Sequence, residues 1–320
     1  MGKVILANDG IDAAGKAILE KKGFQVLTEK VNQDDLIQFI NEKNVKALLV
    51  RSATKVRKDI IDACPNLEII GRAGVGMDNI DVAYAREAGK KVINTPGASS
   101  QSVAELVFSH LFSVARFIPE AARQMPLDGE TKFNEYKKIY SNGFELKGKT
   151  LGIIGFGRIG QSVAKMALGL GMNVQPFDPV VNEVTLELDF FNTDDTFSIE
   201  YKTVKLEDVI KKSDFITVHV PGTKDGKALI GAEEIAQMKD GVILVNSARG
   251  GVIDESALLY ALNSGKVKFA CLDVFENEPT PNTDLLKHPK VLATPHIGGS
   301  TKEAQERIGI ELATLVADSL

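Results

Sequence analysis

The stretch Lys149-Thr-Leu-Gly-Ile-Ile-Gly-Phe-Gly-Arg-Ile-Gly160 constrains the fold more than any other, because a glycine-rich turn is set between an apolar run and a helix-forming one. Leu151 to Ile154 reads as a buried strand, Gly155, Gly157 and Gly160 as the turn, and Gln161-Ser-Val-Ala-Lys-Met-Ala-Leu168 as the opening of a helix. Met172 to Phe177 is a second apolar run that leads into Asp178, 18 residues beyond Gly160. The three glycines serve tight turning, close backbone approach to a pyrophosphate, and close helix–strand packing. The start of the helix supplies unpaired N–H groups and the positive end of its dipole to phosphates. The pattern predicts a dinucleotide-binding βαβ unit. Asp178 is placed to accept hydrogen bonds from the adenosine ribose and to repel a 2′-phosphate, so NAD is expected over NADP.

At 320 residues the chain is long enough for two domains. Its 44% hydrophobic and 25% charged content is that of an ordinary globular protein. A net charge of −5, without a dense Lys/Arg run, leaves no electrostatic footprint for nucleic acid. The two cysteines, Cys64 and Cys271, lie far apart without metal-ligand spacing, so no metal is expected. They read as buried reduced thiols, which suits the cytoplasm. The opening Met-Gly-Lys-Val-Ile-Leu-Ala-Asn-Asp turns polar too soon for a secretory leader and lacks the Ser or Thr of a myristoylation signal. No apolar run approaches the length of a membrane span. A cytoplasmic protein without membrane or nucleic-acid partners is expected.

Short apolar runs alternate with amphipathic stretches on both sides of the fingerprint. Lys3–Ala7, Phe24–Leu27, Ala47–Val50, Leu67–Ile70 and Lys91–Ile93 read as strands, with helices over Asp12–Lys22, Gln33–Glu42, Val56–Ala63 and Ile80–Ala88. From Ser99 or Ser100 a longer helix carries Val103, Leu106, Val107, Leu111 and Val114 on one stripe, with His110 as a packed histidine on it. Pro126 to Gly148 reads as a polar segment. The second run has strands at Asp214–Val220, Val242–Asn246, Phe269–Asp273 and Val291–Ala293, and helices at Leu206–Lys212, Ala232–Met238, Asp254–Ser264 and Thr301–Ala317. Periodicity does not assign the last helix to either run. Alternation in Thr185–Leu188 and Phe197–Tyr201 predicts a β-hairpin within an insertion, Asn182–Lys202. Pro176 is out of place in a central strand. The expectation is an α/β protein with two doubly wound parallel-sheet domains, Rossmann-like or flavodoxin-like, and a cleft between them.

Three residues stand at expected strand ends, where such sheets bind ligands: Arg249, Glu278 and His296. A guanidinium suits bidentate binding of a carboxylate. A carboxylate next to a histidine favours imidazolium and fixes the tautomer, which makes a proton donor and acceptor. These are the parts needed to move a hydride and a proton between NAD and a 2-hydroxy acid. Residue types alone leave alternatives open: Glu276 rivals Glu278, and Arg249 is also placed to cap the helix starting near Asp254.

The motifs together resemble the D-isomer-specific 2-hydroxyacid dehydrogenase family, and most of all its short D-3-phosphoglycerate dehydrogenase branch. They are Leu49-Val-Arg-Ser-Ala-Thr-Lys55, Gly71-Arg-Ala-Gly-Val-Gly-Met-Asp-Asn-Ile-Asp81, Asn94-Thr-Pro-Gly97 with Val103-Ala-Glu105, and the fingerprint. Val218-His-Val-Pro221, Asn246-Ser-Ala-Arg-Gly-Gly-Val-Ile-Asp254, Leu272-Asp-Val-Phe-Glu-Asn-Glu-Pro279 and Thr294-Pro-His-Ile-Gly-Gly-Ser300 complete the set. The resemblance implies Arg249, Glu278 and His296 as catalytic triad, with Glu278 chosen because it directly precedes the proline. It implies that Arg158 and Ile159 touch the pyrophosphate and Asp178 the ribose. Val75, His219, Val220, Pro221, Ser247, Ala248, Arg249, Asp273, His296 and the Gly298-Gly299 turn then line the rest of the NAD site.

By the same resemblance Gly74, Val75 and Gly76 receive the substrate carboxylate together with Arg249, while His296 takes the hydroxyl proton. Residues 1–98 with 299–320 form a substrate-binding domain, and 99–298 the NAD-binding domain. Arg51 and Arg72, at the ends of adjacent expected strands, suit a phosphate, with Lys137 or Lys138 as further candidates. That favours D-3-phosphoglycerate oxidation, the first step of phosphorylated serine biosynthesis. A glyoxylate/hydroxypyruvate reductase or D-lactate-type dehydrogenase is the alternative, and an NADH-responsive corepressor a more distant one. A homodimer formed through the cofactor domain by the long helix after Ser99 is implied. Gly97 and Ser99 depart from the asparagines frequent in the family. The end at Leu320 leads to the expectation of no C-terminal serine-sensing domain.

Overall fold

The computed structural model describes residues 2–189, 195–222 and 226–320, which form two compact units. The first comprises Met1–Ser102 and Gly299–Leu320, the second Val103–Gly298.

Unit 1 is built on β1 (Val4–Ala7), β2 (Gln25–Leu27), β3 (Val45–Val50), β4 (Ile69–Arg72) and β5 (Lys91–Asn94). All pair in parallel, in the order β2-β1-β3-β4-β5. Parallel strands need crossovers, and the crossover helices bury both faces of the sheet. Leu36, Ile40, Ile60, Ile61 and Ala85 cover one face from the helices Leu36–Glu42, Lys58–Ala63 and Val82–Glu87. Leu19 from Ala13–Lys21 covers the other face, with Leu312, Ala313 and Val316 from the last helix, Lys302–Ala317. Burying each Leu or Ile contributes roughly 1.5–3 kcal/mol. These two helices cross at glycines: a Cβ on Gly15 would stand 2.4 Å from the Gly309 carbonyl oxygen. The last helix therefore packs on the first unit, a choice that periodicity leaves open.

Unit 2 carries β6 (Thr150–Ile154), β7 (Asn173–Phe177), β8 (Glu183–Asp189), β9 (Thr196–Lys202), β10 (Phe215–Val218), β11 (Val242–Asn246), β12 (Val267–Leu272) and β13 (Val291–Ala293). Six form a parallel sheet in the order β13-β12-β11-β10-β6-β7, and β8 and β9 pair antiparallel as the expected hairpin. Residues 190–194, in the middle of the Asn182–Lys202 insertion, lie outside the described residues. Leu186 of the hairpin is buried in the core beneath the fingerprint helix, and Tyr201 packs edge-on against Phe156, ring centroids 6.2 Å apart. Both sheets are doubly wound, as expected.

Two local features that the sequence leaves unexplained find their reason in the structure. Pro176 is not in a central strand: among the described residues β7 is the edge of the sheet and pairs with β6 alone. The Pro176 carbonyl faces outward and accepts from the Val204 N–H at 2.8 Å, so the N–H that proline lacks is not missed by the ladder. The polar segment from Pro126 is helical as far as Ile139, within Ile118–Ile139. Its regular pattern is hidden because the backbone leaves helical geometry at Asp128 and Lys132. Asp128 is held there by Lys132 at 2.8 Å and by the Tyr136 hydroxyl at 2.5 Å.

The Gly160 packing gives a direct check. A Cβ there would lie 2.1 Å from the Gly155 carbonyl oxygen, a backbone atom with no room to yield. Gly160→Ala is expected to cost about 1–3 kcal/mol, read as a lowered Tm. An unchanged Tm would contradict this packing.

Candidate active site

The sheet of unit 2 reverses its winding between β6 and β10, and the crevice at the carboxyl ends there is where open α/β sheets bind ligands. The fingerprint occupies this point. Gly155 has φ +96°, and a Cβ on it would meet the His219 carbonyl oxygen at 2.4 Å. Among the described residues nothing lies within 4 Å of the missing Cβ of Gly157, so the backbone there is open to a ligand. Among the described residues no side chain caps the helix Arg158–Gly169 that starts there, leaving its first N–H groups to an anion.

Asp178 follows the edge strand β7. Its Oδ2 accepts from the Phe156 N–H at 2.8 Å, and its Oδ1 from the N–H groups of Val180 and Val181 at 2.9 Å each. Burial works to raise its pKa, but the three N–H donors outweigh it and hold the carboxyl below its ordinary range. A depressed pKa means that the stabilisation is in place at neutral pH and is lost as pH falls through the lowered value. Asp178 therefore ties the fingerprint turn to the end of β7 and keeps its negative charge there.

Two further polar groups lie beyond the neighbouring strands. His219, after β10, has Nε2 2.9 Å from Thr217 Oγ1, while its buried Nδ1 has no partner among the described residues. Burial pushes its pKa down to about 3. Ser247, after β11, likewise has a buried Oγ without a hydrogen-bond partner among the described residues. An open glycine, an uncapped helix start, a charged acceptor just beyond β7 and two orphaned polar atoms fit a dinucleotide. Gly155, Gly157, Arg158, Ile159, Gly160 and Asp178 would hold its pyrophosphate and ribose. His219, Val220, Pro221, Ser247 and Ala248 stand at the ends of β10 and β11.

Glu278 and His296 meet directly. The loops that carry them follow β12 and β13, neighbouring parallel strands whose carboxyl ends point the same way. His296 Nδ1 lies 2.7 Å from Glu278 Oε2, and Glu278 Oε1 accepts from the Phe275 N–H at 3.0 Å. A carboxylate only accepts, so Nδ1 carries the proton of this bond and Nε2 is left for exchange with a ligand. Glu276 is engaged elsewhere: its Oε1 accepts from the Glu255 N–H, and Glu255 Oε1 accepts from the Glu276 N–H. Burial and the neighbouring carboxylates, Glu276 and Glu278, raise the pKa of Glu255.

Arg249 stands in the turn after β11. Its Nη1 donates to the Ala248 carbonyl at 2.6 Å, and Asn246 fixes the turn by bonds to the Arg249 carbonyl and the Ala248 N–H. It does not cap the helix Glu255–Ser264; Asp254 does, accepting from Ala257 N–H at 2.8 Å. A Cβ on Gly250 would fall 1.9 Å from the Phe275 carbonyl oxygen, so the Arg249 turn lies directly against the loop leading to Glu278.

Asp273, only 1% exposed, is engaged in positioning. Oδ1 accepts from the Thr294 hydroxyl at 2.6 Å and the Ile297 N–H at 2.8 Å; Oδ2 accepts from the Gly298 N–H at 2.7 Å. Its backbone carbonyl accepts from the His296 N–H at 2.8 Å. This clamp holds His296 at φ +54°, a conformation that a non-glycine residue keeps only when its surroundings impose it. The strand-end position of Asp273 is visible in sequence, but its grip on the His296 loop is not.

The other expected residues lie in unit 1. Arg51 follows β3 and Arg72 ends β4, which are paired strands. The Arg51 N–H is held by Asp9 Oδ2 at 2.7 Å, and Arg51 lines a cavity of about 250 Å³ with Asp9, Gly10 and Ala73. This is the β1/β3 reversal of that sheet. Arg72 Nη1 donates to the Ala73 carbonyl at 2.8 Å and its guanidinium lies over Gly74, whose φ is +138°. The N–H groups of Val75 and Gly76 donate to no acceptor among the described residues. Gly299 sits beside Ser99. Lys137 and Lys138 are exposed in the last turn of Ile118–Ile139.

Comparisons with known proteins identify the family. A model of the D-isomer specific 2-hydroxyacid dehydrogenase, NAD binding domain, matches residues 108–298. A hydroxypyruvate reductase of Thermotoga maritima is 47% identical over 317 residues, covering 98% of this chain and 97% of the relative. A D-3-phosphoglycerate dehydrogenase of Methanocaldococcus jannaschii is 43% identical over 99% of this chain, but this chain spans only 56% of that relative. The NAD+-bound 3-phosphoglycerate dehydrogenase of Entamoeba histolytica has a TM-score of 0.77 at 28% identity, covering 99% of this chain and 95% of that one. The chain belongs to the D-isomer specific 2-hydroxyacid dehydrogenase family. It is an NAD-dependent enzyme of that class.

The burial of His219 has a measurable consequence. With its pKa near 3 the ring stays neutral, so its carbon-bound proton resonances are expected to stay constant from about pH 5 to pH 8. A titration step in that interval would show that the ring is open to solvent.

Proposed function

We propose that this enzyme oxidises D-3-phosphoglycerate to 3-phosphohydroxypyruvate with NAD, the opening reaction of phosphorylated serine biosynthesis. The observation that carries the chemistry is the 2.7 Å bond between Glu278 and His296, which leaves Nε2 as the proton acceptor. Bound NAD supplies the nicotinamide carbon that accepts a hydride. Arg249 pairs with the substrate carboxylate. His296 Nε2 takes the C2 hydroxyl proton as the C2–H hydride departs, leaving the 2-oxo acid. Glu278 holds the ring and offsets the positive charge that it gains. In reduction the protonated ring returns that proton to the developing alkoxide. The negative charge of Asp178 discriminates against the 2′-phosphate of NADP.

Arg51 and Arg72 support a phosphorylated substrate: two cationic side chains at the carboxyl ends of paired strands suit a dianion. Relatives named D-3-phosphoglycerate dehydrogenase, 41–43% identical over nearly all of this chain, support the same choice. Hydroxypyruvate reduction is the second reading, favoured by the 47% identical relative whose length this chain matches almost fully. The same proposal includes a homodimer and a cytoplasmic location. Exposed apolar side chains gather on the helix Ile118–Ile139, at Ile118, Met125, Leu127, Phe133 and Ile139, and suit a second copy of the chain. The preceding long helix is mostly buried and adds Phe112. Cys64 and Cys271 are buried free thiols, as a reducing compartment allows. Among the described residues no helix is long and apolar enough to cross a membrane.

His296→Ala is expected to lower kcat by a factor of about 10² to 10⁴ with NAD affinity retained; near-parental turnover would remove His296 from the mechanism. kcat/KM for 3-phosphohydroxypyruvate should exceed that for hydroxypyruvate, and Arg72→Met should narrow the gap by raising KM for the phosphorylated acid. Equal efficiencies in the parent enzyme would defeat the phosphate assignment.

A further inference from the structure

His110 is a buried titratable side chain that this chemistry does not use. It stands on the helix Ser100–Ala115, 3% exposed, with its Nε2 3.3 Å from Thr294 Oγ1. The Thr294 hydroxyl donates its single proton to Asp273 Oδ1, so towards His110 it presents only a lone pair. Nε2 must therefore carry a proton. The buried Nδ1 has no hydrogen-bond partner among the described residues, so a second proton would find nothing to stabilise it. Burial accordingly pushes the pKa of the ring down, against the pull of Asp273.

The neutral ring is thus a donor at the inner end of a chain of hydrogen bonds, from His110 to Thr294 and from Thr294 to Asp273. Asp273 in turn receives the N–H groups of Ile297 and Gly298 and, at its carbonyl, that of His296. The helix also backs this loop sterically: a Cβ on Gly298 would stand 3.0 Å from Asp273 Oδ2, with Val103 and Leu106 just behind. Inside a protein such linked bonds strengthen one another, and a half-buried hydroxyl that loses its donor leaves a lone pair unsatisfied.

We propose that His110 is a positioning residue, whose Nε2–H locks the Thr294 hydroxyl onto Asp273 and so fixes the loop that presents His296 to Glu278. This inference rests on the reading of His296 as the proton-transfer group. His110 touches neither substrate nor cofactor in this role; it acts through Thr294 and Asp273.

The test compares His110→Met, Thr294→Val, their double variant, and His110→Gln, which keeps a side-chain N–H donor. kcat and KM for oxo-acid reduction, NADH affinity by fluorescence titration, and Tm are read for each. His110→Met and Thr294→Val should each lower kcat about tenfold or more, with KM and NADH affinity within about twofold of the parent. The double variant should be no worse than the poorer single one, since both break the same chain of bonds. His110→Gln should recover most of the loss. A lowered Tm with parental kcat in both apolar variants would overturn the proposal by making His110 a packing residue, and so would additive losses in the double variant. If His110→Met does not fold, Thr294→Val against Thr294→Ser carries the comparison, with Ser expected to keep kcat and an equal loss in both overturning it. His296→Ala in the same assay separates the two readings. Retained turnover there overturns the acid–base role and the relay with it. Lost turnover there, with parental kcat in the relay variants, overturns the relay alone.

Discussion

The buried carboxylate of Asp273 takes one hydroxyl and two backbone N–H groups from the segment Thr294–Gly298, and the geometry of His296 follows from those bonds. A carboxylate that is 1% exposed is costly to bury unless its lone pairs are filled. The segment that fills them is thereby pinned, with His296 in a left-handed backbone conformation that free chain would rarely keep. Glu278 reaches the same histidine from the next loop because β12 and β13 run parallel and end together. A 2.7 Å bond between two side chains 18 residues apart is thus produced by sheet register and one buried charge.

The cofactor end of the unit is organised in the same way. Asp178 has three backbone donors around it, one from the fingerprint turn itself, so the residue that sets the charge also anchors the glycine loop. The hairpin β8–β9 reinforces this from behind, since Tyr201 packs on Phe156 between the first two glycines. An insertion that looks peripheral along the chain therefore braces the glycine turn.

Much of this was legible in sequence because parallel sheets write themselves as apolar runs with glycines at turns. Val242–Asn246 and Val291–Ala293 match the observed strands end for end, and each fingerprint glycine has the environment that its position implies. What could not be read depends on neighbours that are distant along the chain. Pro176 looks misplaced until the strand order makes β7 an edge. The helix through Pro126 and Gly129 is hidden because it contains residues of low helical propensity and leaves helical geometry at Asp128, where the Asp128–Tyr136 bond spans the break. Glu276 and Glu278 are equivalent as residue types; the family resemblance picks Glu278 by the proline that follows it, and the physical difference, Glu276 bonded to Glu255 and Glu278 to His296, is not written in the sequence. His110 reads as a core residue on an apolar stripe, which it is. Its bond to Thr294, 184 positions away, leaves no trace in periodicity.

Everything proposed for the chemistry requires that Glu278 hold His296 in the Nδ1–H form, so that Nε2 exchanges the proton with substrate. Nitrogen-15 NMR of the ring reads this tautomer, and with four histidines in the chain the signals are assignable by single substitutions. The neutral ring is expected to show a protonated Nδ1 and a bare Nε2, with a shift towards the Nε2–H form in Glu278→Gln. A neutral parent ring protonated at Nε2, or a spectrum unchanged by Glu278→Gln, would contradict it.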